Sequence, residues 1–224
     1  MLQNGVGAQL YTVREFLKDA GGIRETMKKV ADIGYKVVQL SGHGPVDPKE
    51  IAQAAADNGV AIVATHMPWP KFQNNLDELI EEHKIYNCRH LAVGGIPADY
   101  RSLDGLKRFI DEVVPICEAL ARENMTFSYH NHSHEFVKTD GKTWLELLYE
   151  MTPPQLLKAE LDLYWVQHGG GDPVQWIARC AGRMPLLHLK DMAIVLPREQ
   201  RFAEIDHLGR QVGRPHLRAV GEEG

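Results

Sequence analysis

Short apolar runs alternate with amphipathic stretches along this 224-residue chain. Seven runs read as strands: "VGAQLY" (6–11), "KVVQLS" (36–41), "VAIVATH" (60–66), "RHLAVGG" (89–95), "MTFSYHNH" (125–132), "LLKAELDLYW" (156–165) and "PLLHLKDM" (185–192). Between them apolar residues recur at helical spacing. Ile23, Met27, Val30 and Ala31 mark a helix that stops at Gly34; Pro48 opens a second, closed by Gly59; Leu76, Leu79, Ile80, His83 and Tyr86 line a third. The longest helix carries Leu103, Leu106, Phe109, Ile110, Val113, Cys117 and Leu120 in phase, and Pro115 within it predicts a kink or a split. "TWLELLYEM" reads as a short helix, and Asp172 with Pro173 supplies an N-cap and first helical residue for the last one.

Strands alternating with helices at this spacing predict right-handed βαβ units and a parallel sheet. Seven strands without a topological break favour an α/β fold of the (β/α) TIM type, incomplete at about seven strands, over an open doubly wound sheet. After Phe202 the sequence "AEIDHLGRQVGRPHLRAVGEEG" offers no apolar run for an eighth strand. The expected organisation is one barrel domain over residues 1–205 and an irregular, aberrant tail over 206–224, from truncation or a shifted reading frame. No G-x-G-x-x-G or phosphate-binding loop interrupts it.

Composition changes this picture little. Hydrophobic residues make up 44% and charged residues 25%, as in a globular domain, and the net charge of −5 argues against a nucleic-acid partner. Cys88, Cys117 and Cys180 lie far apart in apolar surroundings and read as reduced core thiols. No leader pattern opens the chain and no apolar run nears the roughly 20 residues that span a bilayer, so a cytoplasmic location is expected, with no membrane partner.

In a parallel barrel the C-terminal strand ends carry the site. Here those ends hold Gln9 and Arg14, His43, His66 and Trp69, the "YHNHSHE" segment, Asp162 and Trp165, and His188 with Lys190. Only the fourth strand, ending "AVGG", is bare. Asp162 stands late in an apolar strand and must be paired or metal-bound if buried. Alternation puts His130 and His132 on one strand face, able to offer two imidazoles to the centre that Asp162 and His188 approach. Oxygen and imidazole donors without thiolate suit one divalent ion, Mn²⁺, Mg²⁺, Co²⁺ or Zn²⁺. Lys190, Glu135 and His66 are the acid–base candidates, in that order. Gln9, Arg14, His43, Trp69, His134 and Trp165 are candidates for substrate contact, the tryptophans by stacking on a sugar face. Glu160 shares a face with Asp162 and is a supporting candidate.

Taken together, "GAQLYTVRE", "THMPW", "YHNHSHEF", "ELDLYWVQHGGGDP" and "PLLHLKDM" resemble the sugar phosphate isomerase/epimerase family. Its members are TIM barrels of the xylose-isomerase-like superfamily, which also holds inosose dehydratases, ketose 3-epimerases and endonuclease-IV-type enzymes. The resemblance runs from about residue 5 to residue 205. It implies a single divalent metal held by a Glu, an Asp, a His and a second Glu from strands five to eight. Asp162 and His188 match the Asp and the His. The first Glu falls on "YHNH", where His130 is the match and His132 the alternative; the second Glu has no match. Trp165 stands where ketose epimerases carry a His. The implied activity is isomerisation or epimerisation of a sugar or sugar derivative through an enediolate. The alternatives are an inosose dehydratase or keto-glycoside lyase, and a non-catalytic truncated barrel that binds a sugar or a partner, as a homo-oligomer in either case. A missing eighth strand implies weak metal retention and exposed edges on the first and last strands.

Overall fold

The computed structural model describes residues 5–195 and 216–219. In chain order the elements are β1 (Ala8–Gln9), α1 (Ala20–Ile33), β2 (Val37–Leu40), α2 (Pro48–Asp57), β3 (Ala61–Met67), α3 (Trp69–Asn74), α4 (Leu76–Tyr86), β4 (His90–Val93) and α5 (Leu103–Arg122). They continue with β5 (Thr126–His130), the hairpin β6 (Lys138–Thr139) and β7 (Lys142–Thr143), α6 (Trp144–Met151), β8 (Leu157–Asp162), α7 (Leu163–His168) and α8 (Pro173–Arg179). Last come β9 (Leu186–His188), β10 (Met192–Val195) and β11 (His216–Ala219).

Seven strands form one parallel sheet in the order β1-β2-β3-β4-β5-β8-β9. This is the expected barrel-type sheet, with β1 and β9 as its edges among the described residues. Helices cover one face and polar side chains fill the other, so β2 is buried at every position and β8 at nearly every one. Burial on both faces explains why these strands read as near-continuous apolar runs. Under the helices Trp69, Phe72, Phe109, Phe127 and Tyr129 pack ring against ring, with centroids 4.8–6.3 Å apart where they meet. Such pairs add roughly 0.5–1.5 kcal/mol each beyond the area they bury.

The caps follow the sequence. Asp19 accepts from Gly22 N–H to open α1, and Gly34 closes it at φ +114°, a conformation glycine adopts freely. Asp172 accepts from the N–H groups of Val174 and Gln175 ahead of Pro173. α5, however, runs unbroken through Pro115. Both Pro115 and Asp111, whose carbonyl loses its helical partner, are exposed, so water replaces that bond.

Several strands are shorter than their apolar runs. β1 keeps two residues before a 3₁₀ turn, Leu10–Phe16, takes over. β5 stops at His130, so Asn131 and His132 belong to the loop and not to the alternating strand. β8 stops at Asp162, whose carboxylate accepts from Trp165 N–H and starts α7, which makes Trp165 helical. β9 ends at His188, so Lys190 stands in the irregular segment that follows. Where no strand is expected after Phe202, β11 pairs antiparallel with β10 in a separate two-stranded sheet. Only two of its four residues are apolar by sequence, too weak a pattern to stand out. The rest of the predicted tail lies outside the described residues.

Candidate active site

The interior face at the C-terminal ends of the strands gathers Gln39 from β2, His66 from β3, His130 from β5, Glu160 and Asp162 from β8, and His188 from β9. Register explains the convergence. His130 pairs with Glu160, and Asp162 with His188, while Glu160 and Asp162 sit two apart and share a face. Both carboxylates are fully buried.

Three donor atoms form a tight triangle. His130 Nε2 lies 3.2 Å from Asp162 Oδ2 and 3.1 Å from His188 Nδ1, and His188 Nδ1 lies 3.6 Å from Asp162 Oδ2. Lys190 Nζ stands 2.9 Å from the same Asp162 oxygen, and Asp162 Oδ1 accepts from Trp165 N–H. Asn131 clamps the two strand ends, accepting from Asp162 N–H at 2.9 Å and donating to its carbonyl at 3.3 Å.

A second set lies behind the triangle. His66 Nε2 contacts Glu160 Oε1 closely, and His188 Nε2 lies 3.0 Å from that oxygen. Gln39 Nε2 donates to both Glu160 oxygens, at 2.9 and 3.0 Å, while Gln39 Oε1 faces His188 Nε2 at 2.6 Å and accepts from Gln9 Nε2 at 3.0 Å.

Electrostatics separates these groups. Burial alone would raise the Asp162 carboxyl, but His130, His188 and Lys190 together hold it far below the ordinary carboxylate range. Burial likewise opposes ionisation of Glu160, and His66 and His188 outweigh it. His188 is raised to about 9, because the two carboxylates overcome its own burial. Burial pushes His130 down to about 3 and His132 down to about 4, so both rings are neutral near pH 7.

This donor set fits a divalent ion. His188 Nε2 faces two acceptors, Gln39 Oε1 and Glu160, so in the neutral ring Nε2 carries the proton and Nδ1 offers a lone pair to the triangle. That is the arrangement by which an outer carboxylate orients a ligating imidazole. The triangle's edges are also those expected of donors around one ion at about 2.0–2.2 Å. His66, His130, Glu160 and His188 each offer an atom within 4.8 Å of the others, so a broader set shares two of the same ligands. The triangle is the better centre, because Glu160 already has Gln39, His66 and His188 as partners.

The other expected residues divide. Gln9, Arg14, His43, His66, His130, His132, Trp165, His188 and Lys190 line one cleft of about 1290 Å³ at this rim. Arg14 lies over the Tyr11 ring at 4.4 Å, and His43 Nδ1 is held 2.7 Å from the Gly44 carbonyl. Trp69 is in the aromatic core, 2% exposed, and does not reach the cleft. Glu135 is 1% exposed and lies outside the cleft lining, accepting from Tyr129 O–H at 2.8 Å and His132 N–H at 2.9 Å. His134 is beside it, also outside the lining. Gln39 is the residue the sequence reading passed over. Its signal was available: an amide in the middle of "VVQL" must find partners if buried.

Residues 27–217 match the family model of the xylose isomerase-like TIM barrel. The chain belongs to the xylose isomerase-like TIM barrel family. It is similar in fold to a sugar phosphate isomerase/epimerase from Parabacteroides distasonis, with a TM-score of 0.73, 23% identity, and coverage of 87% of this chain and 78% of that one. It is similar to a probable 3-DHS dehydratase from Bacillus anthracis, with a TM-score of 0.65, 17% identity, and coverage of 94% and 81%. In sequence, 96 residues are 34% identical to inosose dehydratase from Geobacillus kaustophilus. That stretch spans 42% of this chain and 28% of the relative. No helix among the described residues is long and apolar enough to cross a membrane.

Proposed function

We propose that this chain moves a proton on a carbon next to a carbonyl in a sugar or sugar derivative, as a metal-dependent isomerase or epimerase. The observation that carries the reading is the triangle of His130 Nε2, Asp162 Oδ2 and His188 Nδ1, whose two histidines line the cleft, with Lys190 Nζ 2.9 Å from its carboxylate corner. These three side chains would hold one divalent ion, Mn²⁺, Mg²⁺, Co²⁺ or Zn²⁺. When bound, such an ion polarises a carbonyl oxygen and acidifies the neighbouring C–H.

The chain's own residues do the rest. Glu160 orients His66 as a carboxylate orients a general base, and Gly94 leaves room at its other nitrogen, where an added Cβ would come within 3.1 Å. His66 takes the carbon-bound proton. Lys190, an ammonium when paired with Asp162, returns one to the enediolate from its own position on the rim. Return to the other carbon gives isomerisation, and return to the opposite face gives epimerisation. Trp165 and His132 present ring surface to the sugar, while Gln9, Arg14 and His43 meet hydroxyl groups across the cleft. Glu135 takes no proton-transfer role here: it is buried and already accepts from two donors.

A second reading is dehydration of an inosose or keto-glycoside, in which the same enediolate expels a β-hydroxyl. The 96-residue likeness to inosose dehydratase favours it. Substrate-dependent incorporation of deuterium from solvent at carbon tests both. With metal supplied, exchange is expected with a ketose or keto-cyclitol, and it falls on the order of 10²–10⁴-fold in Lys190→Met. Exchange without loss of water supports the isomerase, and exchange with loss of water the lyase. No exchange with either class overturns both.

A further inference from the structure

We propose that the loop after β5 carries a second divalent-cation site, built from His132, His134 and Glu135. It shares no ligand with the triangle and does not depend on the proposed reaction. One donor atom from each of the three residues lies within 4.8 Å of the others. His132 Nδ1 and His134 Nε2 are both buried atoms without a hydrogen-bond partner. Their rings are nearly parallel, 13° apart with centroids at 5.7 Å. His134 Nε2 lies 3.1 Å from Glu135 Oε1, near enough for attraction but off the line of a hydrogen bond.

A buried polar atom left unpaired is destabilising. Two such nitrogens in one turn stand beside a buried carboxylate, which repels an anion. A cation satisfies all three donors. Glu135 is already set for the role, because Tyr129 O–H and His132 N–H fix its orientation. Spacing makes the site local: the ligands sit at positions i, i+2 and i+3, and the 3₁₀ turn His134–Phe136 turns the last two back toward the first. Two imidazoles and one carboxylate, without thiolate, suit Zn²⁺ or Co²⁺ better than the oxygen-seeking Mg²⁺ or Ca²⁺. The rings of His130 and His132 are 5.0 Å apart, which makes the two sites neighbours.

The test is the metal content of tag-free protein, stripped with chelator, reloaded with Co²⁺ or Zn²⁺ and desalted, with circular dichroism to confirm folding. The wild-type chain is expected to hold two ions. His134→Ala and Glu135→Gln, the second of which keeps the side chain's shape, are each expected to hold one. His188→Ala is also expected to hold one, and His134→Ala/His188→Ala none. A single ion that is lost in His134→Ala and kept in His188→Ala supports this site while removing the first. A content unchanged by both His134→Ala and Glu135→Gln overturns the proposal, as does a wild-type chain that holds no ion.

Discussion

His83 and His130 are both buried, yet they occupy opposite kinds of environment. His83 has Thr65 Oγ1 at 2.7 Å on one ring nitrogen and the Leu79 carbonyl at 2.7 Å on the other. Nothing about it is incomplete, and burial simply holds it neutral by lowering its pKa. His130 has no partner at Nδ1, and its Nε2 is shared between a carboxylate and a second imidazole. Protonated at Nε2, the ring donates to Asp162, sets its N–H against that of the charged His188 and leaves Nδ1 bare. Protonated at Nδ1, it accepts from His188 but turns the same lone pair on Asp162 and buries an unpaired N–H. The difference teaches how to tell a core histidine from a site histidine: burial does not separate them, but the state of both ring nitrogens does.

The largest effect expected from this contrast is that of Asp162→Ala. It leaves Lys190 and His188 facing a position without its carboxylate, at a cost of about 3–5 kcal/mol for breaking a buried charged set. Urea unfolding would show the loss, and metal analysis would show one ion fewer. His83→Ala comes next, at about 2–4 kcal/mol for the cavity and the two partners left unpaired, with ion content unchanged. If His83→Ala alters ion content, the two histidines are not of different kinds. Gln39→Ala removes the amide that fixes His188 and Glu160, and metal affinity measured by calorimetry should fall about 10–100-fold with little change in fold.

The smallest effect on stability is that of pH. Asp162 and Glu160 are held below their ordinary values of about 4, so their contribution to stability is present above that pH and is lost as acid protonates them. His188 is raised from about 6.5 to about 9, so its contribution is full below about 6.5 and is lost as pH climbs through about 9. The metal-free network should therefore be most stable between about pH 4 and 6.5. Ion binding displaces the His188 proton, so apparent affinity should rise about tenfold per pH unit up to about 9. Calorimetry across that range checks the slope.

Much of this was readable beforehand, for physical reasons. Strands buried on both faces leave apolar runs in the sequence, so their order and parallel sense were legible, and so was the polar rim to which Asp162, His188 and His130 belong. Strand ends were not. An N-cap bond from Asp162 ends β8 and turns Trp165 into a helical residue, and no period-two pattern reveals such a bond. For the same reason His132 leaves the strand face it seemed to share with His130. Trp69 looked available because it follows a strand end, but the short helix it opens points it into the core. Gln39 announces only that it needs partners, and those partners come from β1, β8 and β9. The need for a partner is local, but which strands supply it is not.

The central claim is that His130 is incomplete because an ion belongs beside it. The most direct measurement is the metal content and melting temperature of His130→Ala beside the wild-type chain. The account predicts one ion fewer, with a metal-free melting temperature lowered less than in His83→Ala, because both substitutions leave a cavity but the His130 ring has fewer of its bonds met. Unchanged metal content, together with a large drop in metal-free stability, would show that His130 is a core residue like His83 and contradict the account.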